Sequence, residues 1–266
     1  MLQQYCDRWI FRTRHQPTLA ASEPACRRAR GALVDAHQTR PSAAAHLSMD
    51  RGGVMLPFTY EQFVDVFATY NTRIWPAQVL AYLVALAILF GLKRRSANLV
   101  CAGLALMWLW TGVAYHWMHF ASINKAAWLF GALFVLEGAL LLLIGATGRI
   151  RFGTGAGPLG VVGWGFIAYA TVAYPLLGLW TGHGYPRMPT FGVTPCPVTI
   201  FTFGVLLLAR PVVPKSVLVV PLLWSLVGGS AAFLLQVPQD WVLLFSGAAA
   251  LPMLLRKDSR TVPAST

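Results

Sequence analysis

Charge is what this sequence has least of. Asp, Glu, Lys and Arg make up only 11% of the 266 residues, and just nine positions are acidic. A soluble domain carries about twice that share of charge, and its helices show a polar face that is missing here. Motifs of soluble chemistry are absent too. There is no P-loop, no GxGxxG after a strand, no GxSxG elbow, no zinc-finger spacing, no HExxH and no paired CxxC. No clear internal repeat is visible. These absences remove the common nucleotide-binding, hydrolase and zinc-ribbon readings.

What remains is apolar. Hydrophobic residues account for 56% of the chain and the mean hydropathy is +0.58. They come in runs of roughly twenty, the length at which a helix crosses a ~30 Å hydrocarbon core while satisfying its own backbone. The expected fold is all-α: a polytopic transmembrane helical bundle of about seven spans, preceded by a short amphipathic interfacial helix. The spans read as about 74–92, 97–120, 126–146, 157–181, 197–210, 216–235 and 240–255.

The net charge of +12 raises nucleic acid as a partner, but its placement argues against one. Lys93, Arg94 and Arg95 follow the first span, Arg149 and Arg151 the third, Arg210 and Lys215 the fifth, Arg256 and Lys257 the last. Clusters at alternate exits follow the positive-inside pattern. They put the N-terminus outside and the C-terminus in the cytoplasm, with Lys125 and Arg187 isolated on the outer side. The partners expected are therefore the lipid bilayer and a small solute or ion, not nucleic acid.

Residues 1–54 differ from the rest, being rich in Arg, Ala and His with little periodicity. They contain no signal peptide, because no apolar stretch follows the basic residues. One reading is a disordered basic tail. The preferred one makes Met55 the natural start and the upstream segment a gene-start error or a dispensable extension. Residues 55–73 form the interfacial helix, 74–256 the bundle and 257–266 a cytoplasmic tail. Thr59 and Gln62 fit a capping box, with Glu61 and Asp65 near the positive helix terminus. Phe63, Val66, Phe67 and Tyr70 make an apolar stripe suited to a membrane surface. Trp75 and Pro76 mark entry into the bilayer.

The stretch 182–202, GHGYPRMPTFGVTPCPVTIFT, interrupts this scaffolding with Gly, Pro and polar groups. The span after it rises only about 18–20 Å, too little for ~30 Å of hydrocarbon. Either the segment dips into the bundle, as at transporter binding sites, or it folds over the helix ends as an ordinary loop. His183, Tyr185, Arg187 and Thr190 offer polar groups for an anion or polar solute. Cys196 and Thr199 open the short span, where a helix N-terminus favours thiolate, although a buried inert cysteine is the plainer reading. Cys101 and Cys196 sit at opposite ends of the bilayer, beyond a disulfide's Cα reach of roughly 4.4–6.8 Å, so no structural disulfide is expected in the bundle. Cys6 and Cys26 belong to the extension.

Two further features carry chemistry. His116 and His119 are three apart, share a helix face, and with His183 and Cys196 form a candidate metal set. An interfacial His beside Trp and Tyr can equally serve as a headgroup anchor. Glu137 is the one acid well inside a span, about 16 Å from its outer end. An intramembrane acid is a functional candidate by default, able to donate a hydrogen bond or relay a proton. Tyr169 and Thr111, about 18 Å and 13 Å deep, are the partners best placed for it. Asp240 is explained by helix capping, and Gly228, Gly229, Ala231 and Ala232 by close helix packing. No cofactor is assigned.

The segments LPFTYEQF (56–63), YNTRIWPAQ (70–78), YHWMHFASIN (115–124), GHGYPRMPTFG (182–192), PCPVTIFTFG (195–204) and Gln239–Asp240 together resemble a bacterial family of multi-pass membrane proteins of unknown function. The resemblance covers about residues 55–255 and is most specific in the GH-x-YP and PCP-x-TIFT block. It implies an inner-membrane protein, sometimes loosely labelled a permease, with no established substrate or catalytic residues.

Three functions compete. A small-solute or ion permease, with its site at the outer ends of spans two to five, predicts a buried 182–202 loop and a cavity reaching Glu137. Seven short-looped helices are few for such a transporter unless it forms a homo-oligomer. A non-catalytic accessory or sensor predicts no cavity and a satisfied, dry Glu137. A metal- or haem-dependent membrane enzyme predicts converging His116, His119 and His183.

Overall fold

The computed structural model divides into Met1–Met55 and Leu56–Thr266. It describes residues 56–155, 157–182, 184–210 and 213–259. The expectations for residues 1–54, for the start at Met55 and for Cys6, Cys26 and His183 lie outside the described residues.

The described chain is an all-α bundle. Its helices are α1 (Tyr60–Arg94), α2 (Ala97–Trp110), α3 (Ala127–Ala146), α4 (Pro158–Ala168), α5 (Tyr174–Trp180), α6 (Pro195–Leu207), α7 (Ser216–Leu234) and α8 (Trp241–Ser259). Five helical stretches are long and apolar enough to cross a membrane: Tyr60–Arg94, Ala97–Ser122, Ala127–Ala146, Pro158–Trp180 and Ser216–Leu234. The protein is thus a multi-pass membrane protein. Of the other two expected spans, α6 is an apolar helix of only 13 residues, and the 19-residue α8 runs into Arg256, Lys257 and Asp258.

Helix α1 joins the expected interfacial helix and first span into one element. It opens on the expected capping box: the Gln62 amide donates to Thr59 Oγ1 (3.2 Å) and the Thr59 amide to Gln62 Oε1 (2.8 Å). A kink at Ile74 (φ −109°, ψ 15°) separates the two parts. Pro76 supplies the cause, since it lacks an N–H for the preceding turn and its ring crowds that turn's carbonyl. The stripe of the first part meets protein rather than headgroups. Phe67 stacks on Tyr115 (5.5 Å between ring centres), and Phe58 and Phe63 meet Phe120 edge-on (5.5 and 6.3 Å).

Glycines let the helices approach closely. A Cβ on Gly138 of α3 would fall 2.7 Å from Leu109 of α2, and one on Gly145 would fall 2.7 Å from Cys101. Gly163 of α4 and Gly204 of α6 cross backbone to backbone, and Gly229 of α7 lies against Leu244 of α8, the packing expected of small residues in a membrane bundle. At the centre is α6, whose 13 residues are all buried. Its Thr202 hydroxyl accepts a hydrogen bond from Trp108 Nε1 (2.9 Å).

Two ties show which helix ends share a side. A two-residue antiparallel pairing joins β1 (Arg151–Phe152) to β2 (Ala209–Arg210), with Arg151 opposite Arg210. At the other end, Arg187 bridges Glu61 and Asp65 of α1, at 2.7 Å each. The ends that carry Arg151 and Arg210 therefore lie together, away from the end that carries Arg187.

Two spans contain π-helical turns, Thr111–Trp117 after α2 and Tyr169–Ala173 between α4 and α5. Such wide turns recur at functional sites because they re-aim side chains. Several of the sequence candidates, Thr111, His116 and Tyr169, sit on them.

Candidate functional site

The segment ahead of α6 enters the bundle. Met188, Pro189 and residues 191–194 are buried without being helical. Gly192 has φ +75°, and a Cβ there would meet the Ala81 Cβ at 2.6 Å. Ala81 lies about 9 Å along α1 from Trp75, so this backbone packs against α1 well beyond the Ile74 kink. Only glycine combines that dihedral with that contact.

Buried non-helical backbone in such a place needs partners, and α1 supplies them. Asn71 Nδ2 donates to the carbonyls of Pro186 and Met188, both at 2.7 Å. Its Oδ1 accepts from Thr190 (3.0 Å) and Gln78 (2.9 Å), and its carbonyl accepts from the Tyr185 hydroxyl (3.2 Å). Tyr70 donates to the Val193 carbonyl (2.6 Å). Hydrogen bonds to Glu61 and Asp65 push the pKa of exposed Arg187 up. Tyr185, Arg187 and Thr190, expected to meet a solute, hold this segment to α1. Asn71 is the residue that sequence reasoning missed. Its signal was an amide two residues before Arg73 on an otherwise apolar helical face.

The histidines part company. The π turn widens the helix between them, and His119 leaves helical geometry altogether (φ −124°, ψ −58°). His116 points into aromatic rings, 4.7 Å from Phe134, 5.2 Å from Trp224 and 5.9 Å from Phe130, and neither ring nitrogen has a hydrogen-bond partner. His119 faces Tyr70 (5.0 Å) and its Nδ1 is 2.7 Å from the Ala114 carbonyl. The shared helix face expected of this pair is therefore not formed. Among the described residues, no three His, Cys, Asp or Glu side chains gather as metal ligands.

Glu137 is fully buried on α3, and neither carboxyl oxygen has a partner. The two expected partners are engaged elsewhere. Thr111 donates to the Met107 carbonyl (2.8 Å), and Tyr169 to the Gln239 carbonyl (2.8 Å). Thr199 likewise bonds back to Pro195 (2.8 Å). In an apolar helix a threonine hydroxyl most readily finds the carbonyl one turn earlier.

Asp240, expected as a helix cap, belongs to a buried cluster. It sits in the 3-10 turn Pro238–Asp240, 4% exposed, and its carboxyl faces inward. Tyr174 of α5 donates its hydroxyl to Oδ1, and the buried Cys196 thiol at the start of α6 lies within hydrogen-bonding reach. Cys101 and Cys196 are both free thiols. Asp240 and Cys196 form part of the wall of a cavity of about 360 Å³ at this end of the bundle. Its other walls come from the start of α1, the turn after α2, the start of α3 and the end of α7. Phe58, Phe63, Phe67, Phe120, Phe130 and Trp224 line it, with Tyr115 beside them. Glu137 does not line it, so the cavity expected to reach that residue stops short of it.

No curated protein and no solved structure matches this chain. A family model does, over residues 60–264, which include α1, the Asn71 clamp, Cys196 and Asp240. The chain belongs to DUF6064, a family of unknown function.

Proposed function

We propose that this protein is a small-solute permease of the bacterial inner membrane, its N-terminus outside and its C-terminus cytoplasmic. The observation that carries the reading is the cavity of about 360 Å³ at the end of the bundle away from the β1–β2 pairing. Ligand pockets commonly span ~300–1,000 Å³, are mainly apolar, and carry a few converging polar groups. Cys196, Asp240 and Asn124 are such groups here. The buried, non-helical approach to the short α6 is the other feature this reading requires, since transporter sites are commonly built where a span is broken. Basic clusters on the β1–β2 side supply the orientation. Assembly as a homo-oligomer belongs to the proposal, because the bundle is small for a transporter. Glu137, buried and unpartnered on α3, is the residue proposed to couple protons.

The test is a thermal-shift screen of small solutes on the purified protein, with hits carried into proteoliposomes for counterflow. Ala231 lines the cavity at the end of α7, and Ala231→Trp fills it. Hits are expected to shift the wild type, to exchange across the membrane, and to do neither with the variant. Hits that bind in the cavity without crossing would replace the permease with a sensor. Hits indifferent to Ala231→Trp would remove the site.

A further inference from the structure

We propose that the cavity selects a lipophilic organic cation: an apolar, preferably aromatic body bearing one delocalised or alkylated positive charge. The inference rests on the cavity being the solute site and names the class of solute.

The argument is one of charge and surface. Among the described residues that line the cavity, Asp240 is the only one with a formal charge, and none is Lys, Arg or His. Its carboxyl is nearly closed off from solvent, and its neighbours are neutral donors, the Tyr174 hydroxyl and the Cys196 thiol. Burial works against an ionised carboxylate and donated hydrogen bonds work for it, but neither supplies a counter-charge. Among the described residues, the ion pairs all belong to Arg187 with Glu61 and Asp65, on the exposed surface. A buried charge is tolerated when it is paired, and a cationic ligand supplies the missing partner.

The rest of the wall suits the same ligand. Phe58, Phe63, Phe67, Phe120 and Phe130 surround the space, together with the indole of Trp224. Aromatic faces attract cations and repel anions through the ring quadrupole. An anion would face both Asp240 and these rings. A hydrophilic cation such as a metal ion would lose its water without gaining enough oxygen ligands, since metal sites of this kind need several. A neutral hydrocarbon would fit the rings and leave Asp240 unpaired. Only a bulky, weakly hydrated cation satisfies both halves of the wall.

Tetraphenylphosphonium and tetraphenylborate have nearly the same shape and opposite charge, so they isolate the sign of the charge. Binding of each to the full chain in lipid nanodiscs is measured by equilibrium dialysis, beside neutral 1-aminoanthracene. The phosphonium is expected to bind saturably and about tenfold or more tighter than the borate, a difference of the size one desolvated charge contact makes. Asp240→Asn is expected to erase that preference and leave 1-aminoanthracene binding unchanged, while Ala231→Trp weakens both. Equal binding of the two ions by the wild type overturns the inference, and that result needs no variant to fold. If 1-aminoanthracene still binds and Ala231→Trp excludes it, the solute site stands and the ligand is a neutral lipid-like molecule. If neither probe binds saturably, the inference and the site fall together.

Discussion

Two regions of this bundle treat buried polarity in opposite ways. Around Asn71, polar groups are dense and engaged: one amide meets the carbonyls of Pro186 and Met188 and the side chains of Thr190 and Gln78. In the middle of the bundle they are sparse and alone: both oxygens of Glu137 and both ring nitrogens of His116 lack partners. The first region resembles a binding site in its sequence and is a clamp in three dimensions. The second offers one acid and one histidine among apolar letters, and it holds the groups that fold stability does not explain. In a membrane bundle, then, abundance of polar residues marks backbone that must be held. Polarity left unsatisfied is the better pointer to function.

Replacing Asn71 gives the largest expected effect and strikes directly at this contrast. Asn71→Leu keeps the branched shape and removes every hydrogen bond made by the Asn71 side chain, leaving the Pro186 and Met188 carbonyls and the Thr190 hydroxyl without that partner. At about 1–3 kcal/mol for each buried group left unsatisfied, the loss is on the order of 3–5 kcal/mol. Thermal unfolding in detergent should show a drop of roughly 10 °C in Tm. A shift near zero would mean the segment before α6 is not held by α1. Gly192→Val attacks the same segment through its backbone, combining a positive φ with the close Ala81 contact. It should cost about 2–4 kcal/mol, read in the same assay.

The helical bundle was legible in the sequence because hydrocarbon thickness leaves little choice of element. Trp75 and Pro76, which the sequence reads as the entry into the bilayer, lie beside the kink at Ile74, a bend within one helix that the sequence does not announce. The burial of the 182–202 segment could be posed as a question from the short length of α6, and no further. The partner of each polar side chain was not legible. His116 and His119 diverge because of a π turn that no spacing rule anticipates. The neighbours of Asp240 in sequence suggest a cap, whereas Tyr174 and Cys196 reach it from other helices. Periodicity reports which face of a helix is buried. It does not report which of several buried groups find one another.

A change of opposite sign is expected in the sparse region. Glu137→Leu replaces an unpartnered buried carboxyl with an apolar side chain of similar size. Removing a desolvated group that makes no hydrogen bond should stabilise the bundle by about 1–2 kcal/mol, raising Tm where Asn71→Leu lowers it. His116→Phe should act in the same direction and less strongly, since the ring already sits among Phe130, Phe134 and Trp224. Stabilisation combined with loss of counterflow is the signature of a functional group retained at the expense of stability. A fall in Tm for Glu137→Leu would instead show that the carboxyl is structurally engaged, and the contrast between the two regions would close.

The smallest effect belongs to Arg187, although the sequence placed it among the solute-binding groups. Its two ion pairs lie on the surface, with Arg187 47% exposed, Glu61 69% and Asp65 66%. Water and salt screen such pairs, and holding long side chains in one geometry offsets much of what remains. Arg187→Ala should therefore lower Tm slightly at low ionic strength and leave it unchanged at high ionic strength. If Arg187 held the solute, its removal would abolish binding of a cavity ligand at every salt concentration. If it only fastens the loop to α1, binding should persist, because the Asn71 network beneath it keeps the same carbonyls in place. Comparing Tm and ligand affinity for this one variant across a salt series separates an outer latch from a binding residue.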